Sequence, residues 1–176
     1  MRDYSNATRG SVWVRLANAL INQAKAERVT IINYSVGGSL ASEWNTNPIR
    51  DARRQQISDA LAAGLMPTHI VWFQGESEGP NGVSASTYQA EMTTLINDIR
   101  SQGVSAPFYN STTTRNAGIS YPTIQGAQAA IRSAAAGIFA GPDTDSLSDT
   151  YRFDGVHYTA AGLDLLASMW MTSLGW

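Results

Sequence analysis

Apolar positions along the chain switch repeatedly between a helical period and short continuous runs. Ser11 precedes Trp13, Leu16, Ala17, Leu20 and Ile21, a stripe that predicts an amphipathic helix with a serine N-cap. Residues 29–35, Val-Thr-Ile-Ile-Asn-Tyr-Ser, are rich in β-branched side chains and read as a strand that ends at Gly37-Gly38. Asn47-Pro48 reads as an N-cap and first helical residue, opening a helix with Ile57, Ala60 and Leu61 inward and a stop at Gly64. Residues 69–73, His-Ile-Val-Trp-Phe, form the nearly all-apolar run of a buried parallel strand, followed by a polar, Gly-rich loop over residues 74–83. Ser86 and Gln89 resemble a capping box before a helix carrying Tyr88, Met92, Leu95, Ile96 and Ile99, with Gly103 as its stop. Residues 107–110 form a weak strand, and Pro122 and Thr123 open an Ala-rich helix around Ile124, Ala127 and Ile131. Residues 137–140 give another short strand. A last helix after Thr159 carries Leu163, Leu166, Ala167, Trp170, Met171 and Leu174.

This alternation of helix and strand with short connections predicts an α/β fold, a parallel sheet covered by helices on both sides. In such sheets ligands sit beyond the carboxyl ends of the strands, so the loops after Ser35, Phe73 and Ala140 are expected to meet on one rim. A chain of 176 residues, 43% hydrophobic and 15% charged, fits a single globular domain rather than a disordered one. The absence of cysteine excludes disulfides, thiolate catalysis and Cys-ligated metal sites. Twelve Lys and Arg against 14 Asp and Glu leave a net charge of −2, with no footprint for nucleic acid or an anionic membrane surface. No apolar run reaches the roughly 18 residues of a membrane span. No hydrophobic signal-peptide region follows Met1, which leaves the compartment open.

Chemistry concentrates on the expected rim. The third loop ends in Arg152-Phe-Asp-Gly-Val-His157. An Asp three residues before a His can fold back onto the imidazole, fix its tautomer and stabilise the imidazolium of general-base catalysis. The alternative is an Asp that caps the helix beside a surface His. The other histidine, His69, begins a strand and so falls on the opposite rim, where a structural role is expected. Gln74 directly follows a strand, where a side-chain amide can donate to an oxyanion or simply tie down the loop. Gly37-Gly38 would let a backbone N–H approach a ligand, or serve a tight turn. Gly75-Glu-Ser-Glu-Gly79 matches G-x-S-x-G, the nucleophile elbow, but Pro80-Asn-Gly82 leaves no room for the helix such an elbow needs.

Taken together, Gly37-Gly38-Ser39, Glu43-Trp44, the block from Trp72 to Ser77 and the block from Arg152 to His157 resemble the SGNH (GDSL-type) hydrolase superfamily, in its sialate O-acetylesterase and acetylxylan-esterase-like branch. The resemblance implies a flavodoxin-like three-layer sandwich and a serine esterase that removes O-acetyl groups from carbohydrate without metal or organic cofactor. It implies Asp154 and His157 as acid and base of a triad, Gly38 (backbone) and Gln74 (side chain) as oxyanion donors, and Glu76 and Arg152 as supporting residues. It also implies a nucleophilic serine in a Gly-Asp-Ser or Gly-Gln-Ser block after the first strand, and residues 1–10 contain neither. Residues 1–176 are therefore expected to form one domain, incomplete at its N-terminus, that lacks an interior strand and the nucleophile and turns over little substrate. Three outcomes for the gap are open: an upstream piece that completes the fold, which the motif order favours, direct pairing of the strands on either side, or a strand from another chain. Two rival readings use the same residues. One is an active hydrolase using Ser77 or Ser39. The other is a non-catalytic carbohydrate-binding or interaction domain with Trp44, Tyr151, Tyr158, Asp143, Asp145 and Asp149 lining the old cleft.

Overall fold

The computed structural model describes residues 10–176. Five helices, α1 (Val12–Asn22), α2 (Ile49–Ala62), α3 (Ala85–Ser101), α4 (Pro122–Ala130) and α5 (Ala160–Ser173), alternate with β1 (Ile70–Trp72), β2 (Phe108–Thr112) and β3 (Ile138–Asp143). The strands form a parallel sheet in the order β1-β2-β3, with Ile70 opposite Phe108 and Phe108 opposite Ile138. Helices cover both faces, as the alternation predicts. On one face Trp44, Trp72, Tyr88, Met92, Leu95, Phe108, Ile124 and Ala127 form a core beneath α2, α3 and α4. On the other, α1 and α5 pack together through Leu16, Leu20, Leu163, Leu166 and Trp170.

Local chemistry sets the helix starts. The Ser11 hydroxyl accepts from the Trp13 amide at 3.2 Å and the Thr159 hydroxyl from the Gly162 amide at 3.2 Å. The α3 cap is Ser84, which accepts from the Thr87 amide at 3.1 Å, so this helix begins before the Ser86–Gln89 pattern that predicts it. Pro48, not Asn47, holds the N-cap position of α2. On α1 the buried stripe is Val12, Leu16 and Leu20, while Ile21 is exposed at the helix end. β2 and β3 both run further than their sequence signals, to Thr112 and Asp143, because their pairing with each other continues through an irregular register.

One predicted strand is not formed. Residues 29–35 belong to no helix or sheet, and among the described residues no backbone–backbone hydrogen bond involves them. Their β-branched composition favours a strand, but a strand needs a partner, and β1 pairs only with β2. The segment therefore does not close the sheet by pairing directly with β1. Among the described residues no helix is long and apolar enough to cross a membrane.

Candidate active site

The third loop builds an Asp–His pair out of local geometry. An isolated bridge between Arg152 and Tyr158 pinches the loop, and the Phe153 amide donates to the His157 carbonyl at 2.9 Å. Within it, Asp154 Oδ1 accepts from the amides of Val156 at 3.0 Å and His157 at 2.7 Å, an Asx-type turn that Gly155, at φ +80°, allows. The turn brings Asp154 Oδ2 to 2.7 Å from His157 Nδ1. Burial works against the Asp154 charge, but hydrogen bonds from the His157 amide, the His157 ring and the Val156 amide outweigh it and hold the carboxyl below its usual range. An ionised carboxylate only accepts, so Nδ1 carries a proton, and in the neutral ring the lone pair is on Nε2. The His157 side chain is 56% exposed, and Phe153 stacks on its ring at 5.8 Å.

Arg152 is the strut of this loop. It is buried, donates to the carbonyls of Val156 at 2.6 Å and Thr144 at 2.9 Å, and lies over the Tyr158 ring at 4.3 Å.

The first and second loops are stitched by a different group. Gln74 Nε2 donates to the Ser39 carbonyl at 2.9 Å and to both Glu78 oxygens at 2.8 Å, while Glu78 Oε1 also accepts from the Ala41 amide at 2.7 Å. Gln74 thus stands on the expected rim with its N–H groups committed to protein acceptors. Gly38 sits in the left-handed region at φ +72°, beside this cluster in the chain. Burial raises the Glu78 carboxyl, against the hydrogen bonds from Gln74 and Ala41. Burial also pushes Glu76 up to about 7, although its carboxylate accepts from the Gly75 amide at 3.0 Å. Gly75 has no substitute, since a Cβ there would lie 2.1 Å from the Thr113 carbonyl oxygen and 2.3 Å from Gln128 Nε2.

The segment after β2 links the two halves. Asn116 Nδ2 donates to the Glu76 carbonyl at 3.0 Å, and the Gly118 amide to the Gly155 carbonyl at 3.4 Å. Among the described residues no hydrogen bond joins His157 to Gln74 or Gly38, and none joins His157 to a serine hydroxyl.

A family model for a carbohydrate esterase, sialic acid-specific acetylesterase, matches residues 3–174. The chain belongs to the sialic acid-specific acetylesterase family of carbohydrate esterases. By family it is a carboxylic ester hydrolase of the acetylesterase type. No curated protein matches the sequence. Among solved structures, a Parabacteroides merdae protein described as a GDSL-like lipase superposes with a TM-score of 0.70 at 18% identity, over 94% of this chain and 82% of that one. A carbohydrate esterase family 3 protein from Talaromyces cellulolyticus gives 0.65 at 14% identity, over 94% and 89%. The psychrotrophic esterase EstA from Pseudoalteromonas sp. gives 0.64 at 19%, over 92% and 85%. These likenesses show a shared SGNH-type fold.

For this acetylesterase family member, the geometry also assigns roles that sequence reasoning missed. Glu78 is fully buried and bridges two loops, and its signal was a second acid in Glu76-Ser-Glu78. Gln128, also fully buried, accepts from the Thr113 amide at 3.0 Å and donates to the Gln74 carbonyl at 3.2 Å. It lies in a helix, where no local pattern marks it. The Gly75–Gly79 pattern is no elbow, since α3 begins only at Ala85. Ser39 is buried, with its hydroxyl donating to the Val36 carbonyl at 2.8 Å and accepting from Trp44 Nε1 at 2.8 Å. Residues expected to line a sugar cleft mostly have scaffold duties. Trp44 and Tyr158 are buried, Asp143 caps a 3-10 turn, Asp149 pairs with Arg115 at 2.8 Å, and Asp145 accepts from the Thr114 and Arg115 amides. His69 packs at the far rim against Tyr109 and Trp176.

Proposed function

We propose that this chain is a serine acetylesterase acting on O-acetylated sugars, with His157 as its base and Asp154 as the acid that orients it. The observation that carries the reading is the Asp154–His157 pair at 2.7 Å, with Nδ1 held by the carboxylate and Nε2 open at an exposed surface. A serine hydroxyl presented to Nε2 gives up its proton there as Oγ bonds to the acetyl carbon and the carbonyl electrons move onto oxygen. The Gly38 amide and the Gln74 side chain are the donors for that oxyanion, Gln74 by exchanging one protein acceptor for it. Collapse breaks the bond to the sugar oxygen, which leaves with the proton from His157. Water then repeats the sequence, releasing acetate and restoring the hydroxyl. Glu76 and Arg152 support the loops on either side.

Residues 10–176 supply the base and its orienting acid, and no serine hydroxyl among the described residues is bonded to His157, so no serine is named as the nucleophile. Turnover by the chain alone is accordingly weak. The test is hydrolysis of p-nitrophenyl acetate by the 176-residue chain beside His157→Ala and Ser77→Ala. The expected result is a low rate, reduced further in His157→Ala and unchanged in Ser77→Ala. A high rate that Ser77→Ala abolishes would make Ser77 the nucleophile and overturn this assignment.

A further inference from the structure

The turn that follows β2 touches both of the loops that carry the base and the oxyanion amide. The amides of Asn116 and Ile119 each donate to the other's carbonyl at 2.9 Å, closing a turn with φ +49° at Ala117 and +79° at Gly118. Positive φ at both central residues belongs to the tight type I′ turn, and a residue with a Cβ, such as Ala117, rarely adopts it. The turn is anchored at its base. Asp145 accepts from the Thr114 amide at 2.9 Å, the Arg115 amide at 3.0 Å and Gln125 Nε2 at 2.7 Å, and from the Thr114 hydroxyl. Arg115 forks onto Asp149 at 2.8 and 2.9 Å. Thr114 Oγ1 in turn accepts from the Tyr121 amide at 3.0 Å, which ties the incoming and outgoing arms together.

Each side of the turn grips one loop. On one side Asn116 Nδ2 donates to the Glu76 carbonyl at 3.0 Å, and Glu76 closely follows Gln74 in the chain. On the other the Gly118 amide donates to the Gly155 carbonyl at 3.4 Å, and Gly155 closely precedes His157. The second contact is also steric, since a Cβ at Gly155 would lie 3.1 Å from both Ala117 Cα and the Gly118 nitrogen. Asn116, Ala117 and Gly118 thus connect the loop of the oxyanion amide to the loop of the base. The contact between Asp154 and His157 lies wholly inside the third loop, so the turn does not set it. What the turn sets is where that pair stands relative to Gln74.

We propose that Asn116 is a positioning residue for ester hydrolysis: through its bond to Glu76 and the turn it begins, it fixes the separation of the His157 base from the Gln74 amide. Its effect on rate rests on the acetylesterase reading, whereas the clamp rests on bonds of the fold alone. A base and an oxyanion donor serve one tetrahedral intermediate, so a shift of about 1 Å between them costs rate without weakening substrate binding.

The test compares the 176-residue chain with Asn116→Ala, Gln74→Ala and the double variant on p-nitrophenyl acetate, with backbone amides and the His157 ring followed by nuclear magnetic resonance. Asn116→Ala is expected to lower kcat about tenfold, with KM and the His157 titration midpoint unchanged. It should also move the amide resonances of Gly155 to His157, across the turn from the substitution. On the Gln74→Ala background it should add nothing, because the group it aligns is gone. Ala117→Pro cannot take a positive φ and should reproduce the loss from an exposed position. Ala117→Asn suits the turn and should match the parent chain. An unchanged rate in Asn116→Ala, losses that multiply in the double variant, or unmoved amides at Gly155 to His157 would each overturn the proposal. So would a loss carried by KM or by the His157 midpoint. A parent rate that His157→Ala leaves intact would contradict the esterase reading instead, and the clamp would then stand or fall on the amide resonances.

Discussion

Two segments of this molecule, β2 and residues 29–35, have comparable β-forming sequences and opposite fates. β2 is paired on both sides, and Phe108, Asn110 and Ser111 are fully buried. Its polar side chains are used inside the sheet: Asn110 donates to the Gln128 carbonyl at 2.9 Å and Ser111 to the Trp72 carbonyl at 2.9 Å. Residues 29–35 have the stronger β-branched signal, yet their two isoleucines face solvent and they make no backbone–backbone hydrogen bond among the described residues, the Asn33 carbonyl accepting from the Gln56 side chain at 2.9 Å. Strand propensity measures fit to a pleated, half-buried surface, and it acts only where neighbours provide that surface.

The contrast breaks most clearly under truncation. Phe108→Ala is expected to cost about 3–5 kcal/mol of stability by denaturant unfolding. A loss near zero would mean the sheet core is not centred on β2. The buried rim gives the next effect, through pH. Glu76 is raised from 4.5 to about 7, so the folded state holds its proton more tightly than the unfolded state does. Stability should therefore fall as pH rises from about 4.5 to about 7 and level off above, by on the order of 2–3 kcal/mol. Glu76→Gln should flatten that slope, and an unchanged slope would remove Glu76 as its source. Glu78→Ala strands the Ala41 amide and the Gln74 side chain, at a cost of about 1–3 kcal/mol. Denaturant unfolding reads it, and no loss would remove Glu78 as the bridge between the loops. On the open side, Ile31→Ser should change stability by less than about 0.5 kcal/mol. A loss comparable with Phe108→Ala would show that residues 29–35 are packed after all.

Much of this architecture was legible in the sequence because it is local or periodic. The stripes of α3 and α5, the all-apolar β1 and the Asp154–His157 spacing each carry their own signal within a few residues. The family blocks added the esterase class. What escaped was non-local. Glu78 takes its meaning from Ala41 and Gln74, two different loops, and Gln128 from the strand it crosses. Residues 29–35 failed as a strand for the same kind of reason. Their own residues are suitable, but pairing depends on a neighbouring strand, and β1 pairs only with β2.

The most direct test is amide hydrogen exchange on the 176-residue chain alone. The open sheet predicts that the amides of Thr30 to Asn33 exchange close to unprotected rates, while Tyr109 to Ser111 exchange only through global unfolding. Equal protection of the two segments would contradict it.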